Sequence, residues 1–89
     1  MDRQELNDKL KILHTELQQV ESLDNSERVI LESLVRDIRE ILEKDHDETH
    51  SYSGLGDRLK DAVAQLEASH PRATISMREV IDQIAYMGI

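Results

Sequence analysis

Between residues 6 and 20 the apolar side chains Leu6, Leu10, Leu13, Leu17 and Val20 follow one another at gaps of 4, 3, 4 and 3. At 100° per residue this spacing confines them to an arc of about 80°, a seam that an α-helix can bury and that a strand, with its period of two, would scatter over both faces. The seam predicts a helix over residues 3–22. On its solvent face Glu5 with Lys9 and Asp8 with Lys11 stand one turn apart, where opposite charges add small increments of helix stability.

Asp24 and Glu27 have the spacing of a capping box, with Asp in place of the usual Ser or Thr, so the chain turns there and a second helix is expected over 25–45. Its apolar positions, Ile30, Leu31, Leu34, Val35, Ile38, Ile41 and Leu42, spread over about 140°, wide enough for two neighbours. Glu32 with Arg36 and Glu40 with Lys44 repeat the charge pairing on the opposite face. Helices 1 and 2 are therefore expected to form an antiparallel hairpin.

Residues 45–54 contain no aliphatic side chain and end in Ser53-Gly54, which reads as a polar linker. Leu55, Leu59, Ala62, Val63 and Leu66 then share one face, predicting a third helix over 54–69 whose first turn is weakened by Gly54 and Gly56. Pro71 disfavours helical geometry at His70. Ser76 and Glu79 look like a second capping box, with Ile75 and Val80 spaced as a hydrophobic staple, so a fourth helix is expected over 76–87. Gly88 can take the left-handed position that ends a helix, letting Ile89 fold back on Ile84. The expected fold is all-α, four helices in a single domain over 1–89.

Composition narrows the functional classes. Eleven Lys and Arg face 19 Asp and Glu, a formal net charge of −8. The excess is spread along the chain, seven cations against twelve carboxylates in 1–45 and four against seven in 46–89, and no basic segment stands out. Neither nucleic acid nor anionic membrane is expected as a partner. Cysteine is absent, which removes disulfides and thiolate chemistry, and no apolar run approaches the roughly 20 residues of a membrane span. The opening residues lack the hydrophobic stretch of a secretory signal, so a cytoplasmic location is expected. Phe and Trp are missing and Tyr occurs only at 52 and 86, which leaves the core to interlocking aliphatic side chains.

Helix length carries the expectation of a partner copy. The first two predicted helices are each about 30 Å long, the third about 24 Å and the fourth about 18 Å. Short helices laid across a long hairpin would leave part of the wide stripe on helix 2 in water. A two-fold homodimer is therefore expected, with Leu6, Leu10, Leu13, Leu17, Leu31, Leu34, Ile38 and Ile41 in its interface.

Several residues also carry a resemblance. Asp2-x-Gln4-Glu5-Leu6 with Leu13-His14-x-Glu16-Leu17, Asp37-Ile38, Ser69-His70-Pro71, and the stretch from Val80-Ile81-Asp82 to Met87-Gly88-Ile89 resemble a bacterial family of short proteins, domain-of-unknown-function family 4404, over nearly the whole chain. The resemblance implies a helical protein of similar length and implies no activity.

Among candidate sites, Asp45-His46-Asp47-Glu48 with His50 places two imidazoles four residues apart, a spacing that suits a divalent transition metal. No apolar surroundings are available to orient the rings, and a hydrated linker is the plainer reading. No cofactor is expected. His14 flanks the helix 1 seam as a boundary residue with the potential of a pH-sensitive contact, and His70 is expected to hydrogen-bond within its turn. No Ser, His and acid share one face, and Gly54-Leu55-Gly56 lacks the third glycine, the Lys and the strand of a phosphate loop, so an enzyme is not expected. A helix-turn-helix reading of helices 3 and 4 would bring only Arg72 and Arg78 to phosphates.

Opposite the core face of helix 4, Ile75 and Tyr86 lie about 20° apart on the helical wheel, as a contact pair would. The staple explains Ile75 more simply. The leading expectation is a non-enzymatic module for protein–protein interaction or self-assembly; the alternative is a small regulatory or ligand-binding domain, metal-dependent through His46 and His50.

Overall fold

The computed structural model describes residues 2–43 and 49–88. They form four helices, α1 Asp2–Gln18, α2 Asn25–Glu43, α3 Thr49–Leu66 and α4 Pro71–Tyr86, and no strand among the described residues. Every helix carries the same repeat on its inner side. The buried sets are Leu6, Leu10, Leu13 and Leu17 on α1; Leu31, Leu34 and Ile38 on α2; Tyr52, Leu55, Leu59, Ala62 and Leu66 on α3; Ala73, Met77, Val80 and Ile84 on α4. Their gaps alternate between 3 and 4 throughout, the spacing that lets neighbouring helices pack nearly parallel with their side chains interlocked.

The helices close into a ring. α1 packs on α2 and α4, and α3 packs on the same two helices. Ser76 near the start of α4 donates its hydroxyl to Glu16 near the end of α1, and Ser69 just beyond α3 donates to Glu27 at the start of α2. Late in α4, Ile84 lies against Gly56 early in α3. These contacts join opposite ends of neighbouring helices, consistent with the expected antiparallel hairpin extended by two further helices. The wide stripe of α2 meets the two neighbours its width called for.

Local chemistry sets the ends. Asp24 and Glu27 make the capping box in full: the Glu27 N–H donates to Asp24 Oδ1 at 2.8 Å and the Asp24 N–H to Glu27 Oε1 at 3.1 Å. α1 stops at Gln18, four residues before the expected end, and the chain passes through a left-handed Ser22 (φ 61°) while Val20 and Leu23 pack on the core from the connection. Gly88 takes the left-handed conformation as expected, with φ 76°; Ile89 lies outside the described residues.

Two boundaries move, and with them the argument for a dimer. α3 begins at Thr49, so more than half of the predicted linker is helix and the glycines sit within it; Tyr52 extends the buried seam one step upstream, with a ring in place of an aliphatic side chain. α4 begins at Pro71, because proline, which needs no partner for its missing N–H, suits the first helical position and Ala73 opens the seam. The second capping box does not form: Ser76 is buried inside α4 and bonded to Glu16. The helices accordingly have 17, 19, 18 and 16 residues and nearly match in length.

Matched helices cover one another. Leu6, Leu10, Leu13, Leu17, Leu31, Leu34 and Ile38, placed above in a subunit interface, are all buried inside the one chain, and Ile41 is half-buried against the same core. A dimer through these side chains would have to open the bundle. The Cα radius of gyration, 12.2 Å, equals the value of about 12 Å expected for a self-contained domain of this length.

Candidate interaction surface

With the seams turned inward, the large apolar side chains left exposed among the described residues are Ile12, Val29, Ile75 and Tyr86, between 55 % and 76 % accessible. Their directions follow from the wheel. On α1, Ile12 lies about 130° from the middle of the buried stripe, on the flank from which Glu16 reaches α4. On α4, Tyr86 and Ile75 lie about 140° and 160° from the middle of the buried stripe, on the flank from which Ser76 reaches α1. In a four-membered ring, a turn of about 45° from the core direction points at a neighbour and about 135° points straight out of the face shared with it. Three of the four exposed side chains therefore project from a single surface, the outer face of α1 and α4. Val29 stands apart on α2, beside the shallow groove lined by Ile30, Leu34 and Ala62.

Charge is sorted over the same helices. Glu5 and Glu79 stand on the α1–α4 face and Asp8 and Asp82 along its outer edges, all exposed, with Arg72 as the exposed cation among them. Closer to the crevice between the helices, Lys9 and Glu16 offset each other. The other flank of α1 is the opposite case: with α2 it forms a groove lined by Arg28, Arg36 and Arg39 against Glu32. The basic cluster that the linear sequence did not reveal is assembled there, from residues 8 and 3 positions apart on one helix.

A polar junction closes the end of the bundle where α2 and α4 begin. The Ser69 hydroxyl donates to Glu27 Oε2 at 2.6 Å, and His70 Nε2 is 3.5 Å from Glu27 Oε1. The Ser69 hydroxyl, followed by the Asp24 N–H, holds the Glu27 carboxyl below its ordinary value; the Glu27 N–H, with help from the Ser26 hydroxyl, does the same for Asp24. His70 occupies the N-cap position of α4 without a side-chain capping bond, so the expected turn contact is instead its approach to Glu27. Beside it lies an open cleft of about 620 Å³ bounded by Glu16, Glu21, Ser69, His70 and Arg72. Mixed charges line it, and Ser69 and His70 at its edge both turn to the one Glu27 carboxylate.

The remaining sequence-derived candidates fall as follows. His46 lies outside the described residues; His50 is in the first turn of α3, its side chain outside the description. Among the described residues no group of His, Asp and Glu is gathered to hold a metal ion. His14 is half-buried on the α2 side of α1, with Nε2 buried and without a hydrogen-bond partner. Of the two arginines in the helix-turn-helix reading, Arg78 is paired with Glu67. Among the described residues no helix is long and apolar enough to cross a membrane. Ile12 was missed in the sequence, though an isoleucine off a regular 4-3 seam was its signal; Ile75 and Tyr86 were visible as a pair, and Ile75, well inside α4, is not the staple residue it resembled.

No curated protein and no solved structure matches the chain. One family model does, over residues 6–89, that of the Domain of unknown function (DUF4404). The match covers all four helical seams, and the chain belongs to that family.

Proposed function

We propose that this domain is a non-enzymatic protein-interaction module that docks a partner on the outer face of α1 and α4. The observation that carries the reading is the collection of Ile12, Ile75 and Tyr86 on one surface while the inward stripes are fully used by the core. Scattered single apolar side chains are ordinary on a protein surface, whereas several sharing one face within a polar rim are the arrangement of a binding site. The buried polar residues of α4 support it indirectly: Ser76 and Thr74 spend their hydroxyls on Glu16 and the Pro71 carbonyl, fixing the helix that presents two of the three side chains.

Site-specific photo-crosslinking in the native host tests the reading. A photoreactive residue replacing Ile12, Ile75 or Tyr86 should give the same discrete protein adduct, and one replacing Gln65 on α3 should not. Equal labelling from both faces, or none from either, would end it.

A further inference from the structure

Resting on the reading of the α1–α4 face as a docking surface, we infer that the segment it takes is a basic amphipathic helix. Shape comes first. Ile75 and Tyr86 are eleven residues apart, about 16 Å along α4. The Ser76–Glu16 contact sets the register, so that Ile12 lies level with Val80, between them, on the neighbouring helix whose axis is about 8–10 Å away. The three side chains thus lie along an elongated strip of the α1–α4 surface about three turns long. A partner helix laid along it covers all three with one apolar stripe, its anchors recurring every three or four residues.

Charge then selects the flanks of that helix. Four exposed carboxylates, Glu5, Asp8, Glu79 and Asp82, border this strip against Arg72, and the whole chain carries a net charge of −8. Lys or Arg beside the apolar stripe would meet these carboxylates, and an acidic helix of the same apolar pattern would be repelled. The same charges disfavour a second copy docked face to face, since like would meet like across the two-fold axis.

The probes are three synthetic 18-residue peptides: a Leu/Lys amphipathic helix, a Leu/Glu helix of identical apolar pattern, and a Ser/Lys peptide with the charge and no stripe. Each is titrated into the intact 89-residue chain by calorimetry and amide NMR. Saturable binding of the Leu/Lys peptide alone is expected, with shifts concentrated around Ile12, Ile75 and Tyr86. Tyr86→Ser should weaken it about tenfold, equivalent to about 1.4 kcal/mol. The pair Glu79→Lys and Asp82→Lys, both exposed, should pass the preference to the Leu/Glu peptide.

Equal binding of Leu/Lys and Leu/Glu, equal binding of Ser/Lys, or shifts centred on another face would overturn the inference. So would a mass that grows with concentration and reverts with Tyr86→Ser, which would make a second copy the occupant. The crosslinking experiment separates the two readings. Adducts at residues 12, 75 and 86 that map to a partner segment lacking a basic helix overturn this inference alone, and absence of adducts removes the docking face itself.

Discussion

On α1 two apolar side chains sit two residues apart and lead different lives. Leu10 is fully buried in the common core, while Ile12 is more than half exposed on the face shared with α4. α4 repeats the contrast with Met77, completely buried, and Ile75, as exposed as Ile12. Both members of each pair are apolar; what differs is whether the 4-3 repeat carries the residue inward. Apolar side chains on the repeat are accounted for by stability, and those off it are left for another explanation.

Substitutions at the two kinds of position should separate most widely at the core. Leu10→Ala removes a methyl-rich side chain from a closed interior and should destabilise the domain by about 2–5 kcal/mol in a urea titration. A loss as small as that of a surface mutant would mean the inner stripe is not the core described. Adding rather than removing inward volume makes a second, smaller test. A Cβ at position 56 would lie 3.8 Å from Ile84, an ordinary contact, so Gly56→Ala should raise stability by about 0.5–1 kcal/mol through helix propensity alone. A decrease would show that α3 and α4 pack too tightly there for a methyl.

The junction at the bundle end should respond to pH. Asp24 and Glu27 titrate below their ordinary values of 3.8 and 4.5 in the folded chain. Their contribution is therefore complete above those values and is lost as the pH falls through the lowered folded values. Glu27→Gln should lower the melting temperature at pH 7, and the gap from the parent should narrow toward pH 3; a gap independent of pH would break the assignment. The smallest effect is expected on the outer face. Ile12→Ser and Ile75→Ser should each leave stability within about 0.5 kcal/mol of the parent, and a substantially larger loss would place these side chains in the core after all.

The two capping-box motifs show how far a local pattern can be trusted. Asp24 with Glu27 forms the box because the chain is turning there and the freed N–H groups have no other acceptor. Ser76 with Glu79 has the same spacing and no such role, since Pro71 starts the helix five residues earlier and Ser76 faces Glu16 across the bundle. Tyr52 was passed over for a related reason. A polar run around one aromatic ring reads as a loop until the ring is seen to fill the next place in the repeat. Both misreadings shortened a helix, and together they created the false mismatch in length from which a subunit interface was inferred.

The sequence by itself determined the helical class, the number of helices, their inner faces and the capped start of α2, because each follows from spacing along one strand of chain and from bonds between residues a turn apart. Only the tertiary structure decided which apolar side chains remain outside and how the charges are sorted over the surface. Those properties depend on which helix stands beside which. The eleven cations and nineteen carboxylates are mixed along the chain, and only the packing of α4 beside α1 gathers carboxylates from both helices around Ile12, Ile75 and Tyr86.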